Sequence, residues 1–289
     1  MHHKRRERRS RPLPPRARAA KLRRVLRVLR LAWLLFLITL KRRLAYRGDL
    51  VLAALDELCR GAVALILLKV YVTQAPSLAD WGPAQLSFVL GFSMVTIGLF
   101  HCLCGNLYSL SSTYIIQGNL DRVLLRPYPS FLQICFDRIA IEDLSGVVLG
   151  AAVMVAAAAN LPDAHFGPLQ LLLLAVMLVS SFGVVVAVFM AFAATGFWFE
   201  DRVGMVPPVY NLMEFGRWPV RIYHPALRWL ITAVIPFGFV AFYPASLFVG
   251  NGTVPLIYPL LTPAVAIVAL CLSTAMWRRG IMRYESAGS

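Results

Sequence analysis

The stretch that decides the fold is residues 169–198, LQLLLLAVMLVSSFGVVVAVFMAFAATGFW, which contains no charged side chain. At about 1.5 Å of rise per residue, a helix of this length is longer than the ~30 Å hydrocarbon core of a bilayer. The whole chain is similar: 59% of its 289 residues are hydrophobic and only 15% are charged. A soluble domain carries about 25% charged residues. The sequence therefore predicts an all-α membrane protein and excludes a soluble one.

Six apolar runs are long enough to cross a membrane as helices. They are 50–72, 84–108, 141–161, 169–198, 229–249 and 255–277. The breaks between them contain turn formers such as Trp81-Gly82-Pro83. Pro236 and Pro244 fall inside the fifth run, where we predict kinks because proline cannot donate to the helix ladder. The prediction is a polytopic protein with six transmembrane helices.

Basic residues alternate between the loops. The stretch before the first run holds 17 Lys and Arg residues, and 109–140, 199–228 and the carboxyl-terminal tail hold three, four and three. The other three breaks hold none. Because basic loops stay in the cytoplasm, this pattern predicts a multi-pass protein of the cell membrane with both termini cytoplasmic. The pattern also accounts for the net charge of +15, because basic residues are attracted to anionic membrane lipid. We do not expect nucleic-acid binding, since no zinc spacing or recognition helix accompanies the basic residues.

The amino-terminal part divides into two segments. Residues 1–20 are rich in Arg and Pro, and we predict a disordered basic arm. Residues 21–48 place Leu22, Leu26 and Leu29 on one helical face, opposite a stripe of arginines. The apolar run that follows has ten residues, too few to cross a bilayer. We therefore predict an amphipathic interfacial helix over 21–48, followed by the membrane domain over 49–289.

The first crossing carries a polar patch of Asp56, Glu57 and Arg60. Charges at the middle of a bilayer are costly, and Asp56 and Arg60 have the i,i+4 spacing that lets them pair on a helix. One interpretation places this end of the helix at the cytoplasmic headgroups or against other helices. The other is that the patch faces a substrate path.

Catalytic motifs are missing from the sequence. It contains no H-E-x-x-H, no G-x-S-x-G and no P-loop, so we predict no catalytic residues and no cofactor-binding site. His101, Cys102 and Cys104 share a turn, but the two cysteines lie about 200° apart around a helix, which disfavours a shared metal ion. If the chain takes part in an ATP-driven process, the nucleotide must bind to another polypeptide.

The break at 109–140 predicts a short cytoplasmic helix. Asn119 or Asp121 can cap it, and Pro127 and Pro129 end it. Leu120, Val123 and Leu124 alternate on it with Arg122 and Arg126, so it is amphipathic. Such a helix can transmit force from a soluble partner, or it can be an ordinary connector lying on the membrane.

Four stretches carry a resemblance to a known family. The segment QGNLDRVLLRPYPSFLQ at 117–133 resembles the motif (R/G)xLDxxLLRPxxP of type-2 ABC exporter permeases. Residues 29–47, 214–250 and 277–289 agree with it, and the similarity covers about 21–289. The polar patch departs from the family, whose members tend to be apolar there.

The resemblance implies a permease subunit of an ATP-driven exporter in a bacterial plasma membrane, with an interfacial elbow helix and a cytoplasmic coupling helix. It implies no enzymatic activity on this chain: two copies of an ABC ATPase subunit would hold ATP and Mg²⁺, and a second permease, identical or related, would complete the path. The coupling residues that it implies are Leu120, Asp121, Arg122, Leu125, Arg126 and Pro127. The alternatives are a secondary transporter, which usually shows midplane carboxylates and internal repeats, and a non-transporting scaffold that recruits an ATPase.

Overall fold

The computed structural model describes residues 34, 37–38, 41, 47–74, 81–137, 139–161, 166–199, 206–249, 252 and 254–285. This part of the chain is helical, as predicted. The basic arm at 1–20 lies outside the described residues, and so does most of 21–48. Disorder in the arm and an interfacial elbow helix therefore stay predictions.

The described residues form ten α-helices, several of them extended by 3₁₀ or π turns. They are α1 Arg47–Gln74, α2 Pro83–Cys104, α3 Asn119–Leu124, α4 Ser130–Asp137, α5 Leu144–Ala158, α6 Pro168–Ala194, α7 Val206–Met213, α8 Pro225–Trp229, α9 Phe242–Ser246 and α10 Ile257–Arg283. Prolines at the first positions of α2, α6 and α8 suit helix starts, where an N–H would have no partner in the helix.

Four helical stretches are long and apolar enough to cross a membrane. They are Pro83–Ile116, Ile141–Ala158, Pro168–Phe197 and Ile257–Arg283. They correspond to the second, third, fourth and sixth predicted crossings. By length and composition, the described part of the chain is suited to cross a membrane several times.

The first predicted crossing lies within α1, a continuous helix of 28 residues. Its length is sufficient, but Asp56, Glu57, Arg60 and Lys69 make it more polar than the four stretches above. A crossing by α1 therefore stays a prediction.

The fifth predicted crossing, 229–249, is not a continuous helix. A π turn at Leu230–Val234 ends before Pro236, a 3₁₀ turn follows, and α9 adds only five residues. Ile235 has φ −117° and ψ 98°, the extended conformation that a following proline favours. Pro236 thus produces a full interruption, where the sequence led us to expect a kink.

Helix α2 is the centre of the bundle, and most of its residues from Leu86 to Cys104 are buried. It packs chiefly on α5, while α6 packs chiefly on α10. At the crossing of α2 and α5 the backbones touch: a Cβ on Gly91 would lie 2.7 Å from the Gly150 carbonyl oxygen. Gly91 and Gly150 thus allow close packing of the two helices.

The length of α2 positions the candidate site. Including its 3₁₀ and π extension, the stretch Pro83–Ile116 has 34 residues. At about 1.5 Å per residue it spans roughly 50 Å, some 20 Å more than the hydrocarbon core. Helices α3 and α4 follow this stretch in the chain, so they lie near its far end.

Candidate functional site

The predicted short helix exists as α3, Asn119–Leu124, and it starts from a tight turn. Gly118 is its cap residue, in the left-handed region with φ 70°. The cap predicted at Asn119 or Asp121 is wrong, because Gly118 needs no side chain to turn the backbone. The Asn119 amide instead donates to the Thr113 carbonyl oxygen at 2.8 Å, which ties the turn to the end of α2.

Helix α3 is amphipathic, but Leu124, which the sequence grouped with Leu120 and Val123, is 39% exposed. Leu120 is completely buried, Val123 is also buried, and Asp121 is half-buried. The residues that follow face outward, and Leu125 is 86% exposed. Arg122, Arg126 and Pro127 are exposed beside it. We call the set Arg122, Leu125, Arg126 and Pro127 the basic-apolar surface.

The turn after α3 is fixed by a single side chain that the sequence did not single out. The Gln133 amide donates to the Val123 carbonyl oxygen at 3.1 Å and to the Tyr128 carbonyl oxygen at 2.9 Å. These carbonyls lie on the two sides of Pro127, where the helix ladder has ended. The basic-apolar surface therefore sits on a turn of defined shape.

Helix α4 joins this turn to the membrane helices through side-chain hydrogen bonds. Asn106 Nδ2, at the end of α2, donates to the Ile134 carbonyl oxygen at 2.7 Å. The Tyr114 hydroxyl donates to Asp137 Oδ2 at 2.8 Å. On the other side, Trp277 Nε1 of α10 donates to Ser130 Oγ at 3.1 Å. The element is thus connected to both α2 and α10.

An aromatic junction surrounds the contact with α10. The Trp277 ring meets the Phe131 and Phe197 rings edge to face, each with centroids 5.5 Å apart. Such pairs contribute about 0.5–1.5 kcal/mol beyond burial of their area. Gly280 gives Phe197 room, because a Cβ there would overlap its ring. Helices α4, α6 and α10 therefore meet at one packed point.

The polar patch on α1 is a three-residue ion cluster. Arg60 pairs with Asp56 at 2.8 Å and with Glu57 at 2.9 Å. The Asp56–Arg60 pair was predicted, and the second bond to Glu57 was not. Asp56 and Arg60 side chains are each 61% exposed, whereas Glu57 turns inward against Gly146 of α5. The cluster thus has one half-buried and two exposed members.

A polar cavity of about 430 Å³ lies near this level, at the end of α2. His101 Nε2 and the Tyr108 hydroxyl are 3.1 Å apart, and Tyr210 of α7 packs on both rings. Asn106 and Asp143 also line the cavity. The sequence could not indicate this cluster, since Tyr108 and Tyr210 are distant along the chain and follow no common pattern.

Ionisable groups of α7 and of the turn after it lie at or near the cavity. Burial raises the pKa of the Tyr210 hydroxyl, chiefly by disfavouring its charged form. Burial also raises the pKa of the Glu214 carboxyl, and the Arg217 guanidinium, 2.7 Å away, opposes that shift. This side of the cavity therefore combines polar groups with a partly shielded ion pair.

The structure does not bring together a metal site in the ranges that it describes. No group of three or more His, Cys, Asp or Glu side chains there could hold an ion. His101 contacts Tyr108 and Tyr210, away from any ligand set. The coupling residues lie on α3 and the turn after it, and the polar patch lies on α1.

One comparison with known proteins gives a match. The model of the family described as "ABC-2 family transporter protein" matches residues 58–288, well over half of the chain. No curated protein matches, and no solved structure matches.

Proposed function

This chain belongs to the ABC-2 family of transporter proteins, and we propose that it is the permease subunit of an ATP-driven exporter. The family is a membrane transport component, so the chain itself is not a catalytic enzyme. In the proposed assembly, two ABC ATPase subunits hold ATP and Mg²⁺. A second permease, identical or related, completes the translocation path.

The basic-apolar surface is the observation that carries the proposal. Leu125 is 86% exposed between two exposed arginines, so its apolar side chain stays in water. A segment that serves only as a connector does not account for such an exposed apolar residue, whereas a docking surface does. A partner with an apolar cleft and acidic rim would cover Leu125 and pair with Arg122 and Arg126. The turn has a fixed shape before any partner arrives, which lowers the entropy cost of docking.

The attachment of this surface supports a coupling role. A push on α3 is received by Leu120 and Val123 and passed to α4 through the Gln133 bonds. From α4 it reaches α2 through Asn106 and α10 through Trp277. Closure of the ATPase pair around ATP would therefore displace two membrane helices at once and turn the permease pair outward.

In this proposal the basic loops and both termini lie in the cytoplasm. Cargo enters from the cytoplasm or the inner leaflet, and the ion cluster of Asp56, Glu57 and Arg60 faces its route. The two exposed members of that cluster and the neighbouring polar cavity support this assignment. The direction of transport is outward.

The test is the double substitution Asp121→Ala/Arg126→Ala, in membranes that also contain the ATPase. We expect the permease to insert normally, while ATP hydrolysis no longer drives transport. Arg221→Ala is the matched control, since it removes an exposed arginine from the other basic loop. Full transport by the double variant would refute the coupling assignment. Transport by the chain alone, powered by an ion gradient, would instead favour a secondary transporter, and ATPase recruitment without flux would favour a scaffold.

A further inference from the structure

A long apolar groove runs between α6, the interrupted fifth segment and α10, with a volume of about 540 Å³. Its wall on α10 is formed by Leu261, Val265, Val268, Leu272 and Met276, which recur every three or four residues and so form one stripe. At about 1.5 Å per residue, the stripe is roughly 22 Å long. The hydrocarbon of one leaflet is only about 15 Å thick, so the groove can hold a full acyl chain.

The groove is open along its side. Val234, Val268 and Leu272 line it, and yet they are 51%, 58% and 68% exposed. The helical stretch Pro225–Val234 ends beside this opening, ahead of Pro236. In a membrane, these walls face lipid and not water.

Two arginines lie about one helical turn beyond lining residues of the groove. Arg228 precedes the lining residue Thr232 by four positions, one helical turn away. Arg279 follows Met276 by three positions and continues the stripe on α10, with its side chain exposed. Among the described residues neither arginine forms an ion pair with a carboxylate.

The hydrogen bonding of Arg228 is incomplete. Its guanidinium donates to the carbonyl oxygens of Arg221 and Tyr223 at 3.3 and 3.4 Å, both long bonds. Its Nε is buried and has no hydrogen-bond partner. A buried donor without an acceptor is costly, and phosphate oxygens are the acceptors that a guanidinium fork matches best. The exposed Trp229 beside it is of the type that anchors at the headgroup level.

We propose that this groove is a binding site for an anionic glycerophospholipid of the membrane. One acyl chain lies along the α10 stripe, and the phosphate accepts hydrogen bonds from Arg228 and Arg279. An anionic lipid fits better than a zwitterionic one, whose own cation would offset the attraction. It also fits better than a second copy of this chain, because an apolar helix face would leave both arginines unpaired. The proposal requires only that the chain lies in a membrane.

The experiment uses the full chain in vesicles of equal parts phosphatidylglycerol and phosphatidylcholine, extracted in mild detergent and examined by native mass spectrometry. We expect phosphatidylglycerol to remain bound in excess over phosphatidylcholine. Since charge-assisted hydrogen bonds are strong, Arg228→Gln/Arg279→Gln should reduce that excess about tenfold. Arg278→Gln is the control: it removes the same charge one residue away, about 100° around the helix, and should keep the excess.

A second variant tests the groove with both arginines intact. Ala269 lines the groove, and Ala269→Phe should fill it and expel the lipid. Ile267→Phe, on an exposed part of α10 outside the groove, should not. Equal binding of the two lipids to the unmodified chain would overturn the proposal. Unchanged retention of phosphatidylglycerol by Ala269→Phe would also overturn it. So would a result in which Ala269→Phe changes dimer formation but not lipid binding.

Discussion

The junction between Ser130 and Trp277 offers the sharpest test of how the coupling element is held. Trp277 is 3% exposed, and its Nε1 donates to Ser130 Oγ at 3.1 Å. Ser130→Ala leaves a buried indole N–H without an acceptor, which costs about 1–3 kcal/mol. Trp277→Phe removes the donor as well as some buried volume, with a cost of about 1–2 kcal/mol, while keeping an aromatic ring near Phe131 and Phe197.

The double variant separates the bond from the packing. On the Trp277→Phe background no N–H remains to be stranded, so Ser130→Ala should cost almost nothing. The coupling energy between the two sites should therefore be about 1–3 kcal/mol, the cost of Ser130→Ala in the unmodified chain. Hydrogen exchange of the α4 amides measures it, because a loss of ~1.4 kcal/mol in local stability speeds exchange through opening about tenfold.

Two results would refute this reasoning. If the two substitutions are additive within about 0.5 kcal/mol, the bond contributes nothing specific. If α4 exchanges no faster while α10 does, the junction stabilises the membrane helix and not the coupling element. In a reconstituted complex, loosened α4 should also lower the cargo moved per ATP hydrolysed.

Three further predictions concern the packing and the exposed surface. Gly91→Val should lower thermal stability by several degrees, because its side chain would collide with Gly150, whereas Gly105→Ala, with open space around it, should be neutral or slightly stabilising. Gly118→Ala should destabilise α3 by about 1–2 kcal/mol, since φ 70° is unfavourable for alanine. Faster amide hydrogen exchange over residues 110–137 would show this loss. Leu125→Asn should leave the melting temperature unchanged and weaken binding of the ATPase at least tenfold in a pull-down titration.

The membrane character and much of the local structure were predictable from the sequence. Uncharged runs such as 169–198 can only be helices in lipid, and the structure has a helix there, Pro168–Ala194. The Asp56–Arg60 pair followed from i,i+4 spacing and is confirmed at 2.8 Å. Helix α3 stops ahead of Pro127, as a ring without an N–H requires.

The contacts that build the candidate site were not predictable. Trp277 and Ser130 are 147 positions apart, and Asn106 and Ile134 are 28 apart, so only the packed fold brings them together. The sequence favoured Asn119 or Asp121 as the cap of α3, whereas the left-handed cap at Gly118 depends on where the neighbouring helix ends. A proline in a membrane segment can kink a helix or interrupt it. Which of the two occurs at Pro236 depends on how the packed fold satisfies the freed backbone carbonyls, and the sequence does not show that.

The backbone contact between Gly91 and Gly150 has a consequence for motion during a transport cycle. Two helices that touch main chain to main chain cannot slide past each other without a steric collision. Helices α2 and α5 should therefore move as one rigid body. Any conformational change must then occur at the contacts between this pair and the other helices. Spin labels placed on α2 and α5 should keep a constant separation whether or not nucleotide is bound, while labels on α2 and α10 should not.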